Sequence, residues 1–143
     1  TDQPAAPAPG QDPGVAPDPG SGSGPGPAPT PDTTAPSISV GSFSPQPVYG
    51  TAAAPYCATQ SSVTVTATDN VGIASVSGSA NFGGATVQLS SSSGSNYVFV
   101  FSAPYPSGPN TIVTVTFTAT DTSGNQASAP RTLVLTNSGN CLI

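Results

Sequence analysis

Apolar and polar residues alternate along most of the chain from residue 37 onward. Clusters of Gly, Asn, Asp, Pro and Ser interrupt this alternation at the spacing typical of short strands joined by turns. Strict alternation places one set of side chains on a buried face and the other set in water, so the pattern predicts strands and no helix. Seven strands, A to G, are predicted at residues 37–43, 62–68, 73–79, 86–90, 96–102, 112–120 and 131–136.

Strands B and F carry the clearest pattern, because each alternates Val, Ala or Phe with Thr. The threonines favour extended backbone and tolerate water. The inward-facing residues are predicted to be Val63, Val65 and Ala67 of strand B and Val113, Val115, Phe117 and Ala119 of strand F. The two strands would anchor one core from opposite sheets, which predicts an all-β, seven-stranded antiparallel β-sandwich.

Residues 1–36 have a different composition, with eleven Pro, six Gly and Val15 as the one aliphatic side chain larger than alanine. Such a segment cannot bury a core. Proline fixes φ at about −65° and lacks an N–H donor, so the segment is predicted to be an extended tail, similar to polyproline II and interrupted by flexible Gly-Ser stretches. The predicted organisation is a tail at 1–36 followed by one domain at 37–143.

The charge balance excludes several classes of partner. The net charge is −5, Arg131 is the only Lys or Arg, and His is absent. Binding to nucleic acid or to an anionic membrane surface requires several basic side chains, and spanning a bilayer requires about 18 consecutive apolar residues. We therefore expect no nucleic-acid partner and no transmembrane segment.

Catalysis would have to depend on carboxylates, because the chain contains neither His nor Lys. The predicted domain holds two acids, Asp69 and Asp121. A glycosidase with two carboxylates needs one of them in a shielded cleft with a raised pKa, whereas both of these lie in predicted turns. The composition therefore favours a protein that is not an enzyme and has no organic cofactor.

The residues Thr1-Asp2-Gln3 do not resemble an initiator sequence. We interpret Thr1 as the first residue after removal of a signal peptide, which predicts an extracellular or cell-surface location. The alternative is a surface lipoprotein whose acylated cysteine precedes Thr1.

Two turns of the form T-A-T-D follow the clearest strands, in VTVTATDNVGIASV and VTFTATDTSGNQAS, and the stretch DTTAPSISV precedes them. Together these stretches resemble the bacterial Ig-like domains that occur as repeats in surface adhesins, cell-wall proteins and secreted enzymes. The resemblance covers about 105 residues. It implies an Ig-like β-sandwich but does not distinguish a spacer from an adhesive head or a filament subunit. The long A–B insertion at 44–60, the cysteine pair and the single copy depart from the pattern.

Cys57 and Cys141 are the only cysteines, and without His or further Cys they do not complete a metal site. If the strands alternate in direction, the residues before strand B and after strand G lie at the same pole of the sandwich. The sequence therefore predicts a Cys57–Cys141 disulfide formed in an oxidising compartment, with pairing between chains as the alternative.

The opposite pole is predicted to gather hard oxygen ligands. Strand direction places the entry to A and the ends of B and F there, and the polar residues at these positions are Asp32, Asp69, Asn70, Asp121 and Asn125. Carboxylate and amide oxygens are the ligands that Ca²⁺ prefers. The other interpretation is that Asp69 and Asp121 close Asx-turns by accepting hydrogen bonds from nearby backbone amides. The sequence leaves both interpretations open.

Strand E reads NYVFVF and is apolar on both faces, so either its valines or its aromatic residues must point away from the core. Monomers rarely leave a contiguous apolar stripe in water, so the A–B insertion or another copy of the chain should cover it. The interface candidates are Tyr97, Phe99 and Phe101 of strand E and Tyr49 and Tyr56 of the insertion.

The leading functional hypothesis is a homopolymeric subunit of an extracellular filament or surface layer, in which domains pack together and tails extend along neighbours. The alternative is an adhesive or carbohydrate-binding module tethered by the tail, with a glycan or cell-wall ligand. Thr30, Thr33 and Thr34 lie in a Pro/Thr-rich tract and are candidates for O-glycosylation.

Overall fold

The computed structural model describes residues 28–51, 57–104, 106 and 110–136, and these residues form β-strands and no helix. The strands are β1 (Ser37–Val40), β2 (Val48–Tyr49), β3 (Ser61–Thr68), β4 (Ile73–Ala80), β5 (Thr86–Ser93), β6 (Asn96–Ser102), β7 (Asn110–Asp121) and β8 (Gln126–Thr136). The compact unit that contains them begins at Asp32. Most of the predicted polyproline-like tail, residues 1–27, lies outside the described residues.

The eight strands form two four-stranded sheets, with the orders β1-β3-β6-β5 and β2-β8-β7-β4. Neighbouring strands are antiparallel except β2 and β8, which are parallel. Strands β3 and β4 belong to different sheets, so the loop between them passes from one sheet to the other. Strands β7 and β8 instead form a hairpin within the second sheet. No helix in the described part of the chain is long and apolar enough to cross a membrane.

The core lies between the two sheets, and the inward-facing residues predicted for strands B and F are confirmed, since all of them are at most 2% exposed. Strands β3 and β7 contribute them from opposite sheets, as predicted. Phenylalanine rings join the sheets: Phe99 and Phe117 have ring centroids 5.1 Å apart, and those of Phe43 and Phe101 are 6.2 Å apart. Burial of these large side chains supplies the main drive for folding.

The aromatic residues of β6 face the core rather than a partner. Phe99 and Phe101 are 2% and 0% exposed, and Tyr97 is half-buried and packs against the core. The proposal of Phe99 and Phe101 as interface residues is therefore wrong. The register with β3 decides the orientation: Phe99 pairs with Val63, and residues that pair across two strands share one face of the sheet.

The A–B insertion contains a strand that the prediction of seven strands missed. Strand β1, which corresponds to predicted strand A, ends at Val40 and not at Phe43. The Phe43 side chain is buried in the core. Gln46 then ties the insertion to β8, because its Nε2 donates to the Phe43 carbonyl at 3.2 Å and its Oε1 accepts the Val134 N–H at 3.0 Å. Strand β2 follows, and its two residues are too few to show alternation in the sequence.

Strand β8 begins at Gln126, five residues before the predicted start of strand G at 131. Its pairing with β7 is continuous from Asn110↔Thr136 to Thr120↔Gln126. The missed part reads QASAP, and Ala, Ser and Pro have low strand propensity, so only the pairing with a strong neighbouring strand makes this segment extended.

Gly78 of β4 marks a close approach between backbone and core. A Cβ added there would lie 2.7 Å from the Phe117 ring and 2.8 Å from the Val87 side chain. Glycine at this position therefore leaves the room that the fully buried Phe117 ring occupies.

Candidate metal centre

Three carboxylates from separate segments meet at one end of the two-sheet domain. Asp32 precedes β1, Asp69 follows β3, and Asp121 is the last residue of β7. One oxygen from each of the three carboxylates lies within 4.8 Å of the others. The structure therefore brings together the acids that strand direction predicts to share a pole.

Asp69 closes the turn between β3 and β4. Its Oδ2 accepts the N–H groups of Val71 at 2.8 Å and of Gly72 at 3.1 Å, which is the predicted Asx-turn. Gly72 has φ +147°, a backbone conformation that side chains rarely adopt. The turn holds the Asp69 carboxylate in a defined position but uses only one of its two oxygens.

Asp121 is 1% exposed and is held by the β7–β8 hairpin. Its Oδ1 accepts the N–H groups of Ser123 and Asn125, each at 2.8 Å, and its Oδ2 accepts Asn125 Nδ2, also at 2.8 Å. Burial acts to raise the pKa of Asp121, but the hydrogen bonds from Asn125, Ser123 and Gly124 outweigh it and lower the pKa below its ordinary value. Asp121 is therefore a fixed carboxylate that is ionised at neutral pH.

Asp32 reaches the other two acids from the segment that leads into β1. Its Oδ1 accepts the Thr34 N–H at 3.0 Å and Asn70 Nδ2 at 3.3 Å, and its main-chain carbonyl accepts Asn125 Nδ2 at 3.0 Å. Asn70 and Asn125, which the sequence suggested as ligands, thus act as hydrogen-bond donors that position carboxylates. The prediction that their amide oxygens serve as ligands stays a prediction.

Two oxygens of the cluster have no hydrogen-bond partner among the described residues. Asp32 Oδ2 and Asp69 Oδ1 are each fully buried and accept no hydrogen bond. A buried carboxylate oxygen without a partner is costly, because it has lost its water and gained nothing in return. The two unpartnered atoms belong to the same cluster, so a single positive group between the carboxylates would satisfy both.

The chain does not provide a basic side chain for this purpose. Arg131 is its only Lys or Arg, and it donates to Ser42 Oγ at 2.7 Å. Arg131 pairs with Val115, six residues before Asp121 along β7, which corresponds to roughly 20 Å. Three carboxylates therefore approach one another without a protein cation to offset their repulsion.

The spacing of the oxygens fits a calcium ion. Ca²⁺ binds oxygen at about 2.3–2.6 Å, so two oxygens on opposite sides of the ion lie up to about 5 Å apart. The three carboxylate oxygens fall within this limit, at 4.8 Å or less. A depression of about 260 Å³ on the surface borders Asp69. It is lined by Thr34, Ala35, Ser37, Thr68, Asp69 and Asn70.

The two interpretations of the aspartates are thus compatible. Each carboxylate uses an oxygen to fix local backbone or a neighbouring side chain, and for Asp32 and Asp69 the second oxygen remains unpartnered. The turn hydrogen bonds would preorganise the ligands, because they hold the carboxylates in place before an ion arrives.

Of the remaining predicted residues, Thr34 borders this site, because its N–H donates to Asp32 Oδ1. Tyr49 is half-buried on β2, whereas Tyr56 lies outside the described residues. Cys57 is 8% exposed, and its predicted partner Cys141 lies outside the described residues, so the pairing stays a prediction. Thr30, Thr33 and Thr34 are exposed, and their glycosylation likewise stays a prediction.

Comparison of the chain with protein-family models, with curated proteins and with solved structures gave no match.

Proposed function

We propose that this chain is a non-catalytic, extracellular Ig-like β-sandwich module that binds one Ca²⁺ ion between Asp32, Asp69 and Asp121. The observation that carries the proposal is the convergence of three carboxylates within 4.8 Å, two of them with a buried and unpartnered oxygen. A bound cation would turn this repulsive cluster into a stabilising one.

The strand order supports the Ig-like assignment. The first sheet, β1-β3-β6-β5, has the order of strands A, B, E and D, and β8-β7-β4 has the order of G, F and C in constant-type Ig domains. Strand β2 adds to β8 at the edge of the second sheet. The T-A-T-D turns that carry the resemblance to bacterial Ig-like domains also hold Asp69 and Asp121.

The ligand chemistry favours calcium over other divalent ions. The three acidic side chains that meet among the described residues offer carboxylate oxygens, and the chain has no His for the nitrogen ligands that zinc commonly uses. Mg²⁺ requires near-ideal octahedral geometry at about 2.0–2.1 Å, whereas Ca²⁺ accepts irregular sets of oxygens completed by water. Three carboxylates from three loops form such an irregular set.

For the wider role, we propose a structural subunit of a surface filament or surface layer. The orientation of β6 argues against an assembly that packs through Phe99 and Phe101, because these two residues lie in the core. The outward-facing Val98 and Val100 are half-buried. Association would therefore depend on surfaces other than the aromatic face of β6, such as the tail or the A–B insertion. Light scattering of the full chain with and without residues 1–31 tests this, and a monomer in both forms at high concentration contradicts it.

Calorimetric titration with CaCl₂ and thermal unfolding in calcium or chelator test the proposed ion. We expect a stoichiometry of one and a higher Tm in calcium, because an ion that binds only the folded state stabilises it by mass action. The variant Asp69→Asn should weaken calcium binding by roughly tenfold or more, since ligand charge sets the affinity of such sites.

The matched control is Asp18→Asn, which removes the same charge from the tail. It should leave the affinity and the calcium-dependent change in Tm as in the wild type. Absence of heat on titration together with identical unfolding in calcium and chelator contradicts the proposed site. Equal effects of the two substitutions would show that calcium responds to net charge and not to the cluster.

A further inference from the structure

The three carboxylates of the metal centre differ in how firmly the protein holds them. Asp121 is buried in a hairpin and accepts three hydrogen bonds through its two oxygens, and Asp69 accepts two backbone N–H groups in a tight turn. Asp32 instead belongs to residues 32–36, here called the lead-in segment, which precede β1 and form no strand. The acid that can move away most easily is therefore Asp32.

Few contacts hold the first residues of the lead-in segment. The Asn125 amide donates to the Asp32 carbonyl at 3.0 Å, and the Asn70 amide donates to Asp32 Oδ1 at 3.3 Å, near the limit for a hydrogen bond. Thr33, Thr34 and Ala35 are exposed, and the next buried residue is Pro36. Repulsion from two fixed carboxylates opposes these contacts whenever no cation lies between them.

We propose that calcium acts as a clamp for the lead-in segment, so that ion binding fixes the point at which the Pro/Gly-rich tail joins the two-sheet domain. This inference rests on the proposed calcium site and adds a regulatory consequence to it. With the ion bound, Asp32 is a ligand and the lead-in segment is docked. Without the ion, repulsion releases Asp32, and the segment is mobile as far as Pro36.

Calcium binding and docking of the lead-in segment are thermodynamically linked, so each favours the other. If calcium favours the docked segment, the docked segment must favour calcium by the same factor. Loss of Asp32 as a ligand should therefore weaken calcium binding while leaving the carboxylates of Asp69 and Asp121 in place. The size of the coupling is set by the ratio of the calcium affinity of the three-carboxylate site to that of the two-carboxylate site.

NMR relaxation on the uniformly ¹⁵N-labelled full chain tests the clamp. The heteronuclear NOEs of Thr33, Thr34 and Ala35 are measured in chelator and in saturating calcium, and calorimetry on the same samples gives the affinity. In the wild type, we expect these NOEs to rise from values of mobile backbone to those of β1 when calcium binds. In Asp32→Asn, calcium binding should weaken by roughly tenfold, and the NOEs of the three residues should no longer depend on calcium, because the substitution removes the charge that the ion would neutralise.

The outcomes separate the two proposals. If calcium does not bind the wild type, the proposed site itself is wrong. If calcium binds but the NOEs of the lead-in segment are already high in chelator, or stay low in calcium, the site stands and the clamp is wrong. Equal affinities of the wild type and Asp32→Asn also overturn the clamp. Asp18→Asn, which alters charge in the tail, should behave as the wild type in both measurements.

Discussion

The variant Asp69→Asn should have opposite effects on stability in chelator and in calcium. Asparagine has nearly the same shape as aspartate, and its Oδ1 can keep the hydrogen bonds from Val71 and Gly72. Its amide group then replaces the buried oxygen that has no partner and can donate to a neighbouring carboxylate. In chelator the substitution therefore removes both a repulsion and an unsatisfied atom.

The magnitude follows from the oxygen spacing. Two unit charges 4.8 Å apart repel by about 0.9 kcal/mol in a water-like dielectric and by about 3.5 kcal/mol at an effective dielectric constant of about 20. Asp69 is partly exposed, so solvent screening favours the low end of this range. We expect Asp69→Asn to raise the free energy of unfolding in chelator by about 1–2 kcal/mol, and the Tm by about 4–8 °C.

Thermal and urea unfolding, each in chelator and in saturating calcium, measure both effects. In calcium the variant should be less stable than the wild type, because it loses a ligand. Asp121→Asn is the matched contrast: both oxygens of Asp121 already accept hydrogen bonds, so a new amide donor would face Asn125 Nδ2 and lower the Tm even in chelator. A lower Tm of Asp69→Asn in chelator would refute the reasoning that repulsion within the cluster is uncompensated.

Three further predictions concern the fold and its response to pH and reduction. Gly78→Ala should lower the free energy of unfolding, measured by urea unfolding, by about 1–2 kcal/mol, because the new Cβ lies 2.7 Å from the Phe117 ring. This overpacking costs more than the gain in strand propensity. Gly83→Ala is the control and should be near neutral, because its new Cβ has nothing within 4 Å. The lowered pKa of Asp121 gives stability that is complete above its ordinary value of 3.8 and is lost as the pH falls through the folded-state pKa. On acidification in chelator, the Tm of the wild type should therefore fall more than that of Asp121→Asn, and equal changes in Tm would contradict this. If Cys57 forms the predicted disulfide, reductant should lower the Tm of the wild type by an amount equivalent to about 2–4 kcal/mol, and a Cys57→Ser variant should not respond to reductant.

The periodicity of the sequence was sufficient to locate most of the strands. The alternation of Val and Thr around Val65 and Val115 predicted buried positions that the structure confirms, because period-two alternation has one physical explanation, a strand with one face in the core. The missed parts lack this signal. Strand β2 has two residues, and the first half of β8 consists of weak strand formers that are extended because β7 lies beside them.

Strand β6 shows where periodicity fails even when it is strong. Both of its faces are apolar, so alternation alone could not decide whether Val98 or Phe99 points inward. The pairing of Phe99 with Val63 decides it, and this pairing is a property of the sheet. The interface prediction for Phe99 and Phe101 was wrong for this reason.

The metal centre was likewise only partly predictable from the sequence. The sequence by itself determined that Asp69 and Asp121 lie at the ends of two strands, that Asp32 lies before another strand, and that strand direction brings the three acids to one pole. Only the tertiary structure decided that the three carboxylates approach within 4.8 Å, that Asn70 and Asn125 donate hydrogen bonds, and that two oxygens are buried without a partner. Turn chemistry is local and can be read along the chain, whereas the desolvation and repulsion of these charges depend on segments that are distant in sequence and meet only in the folded protein.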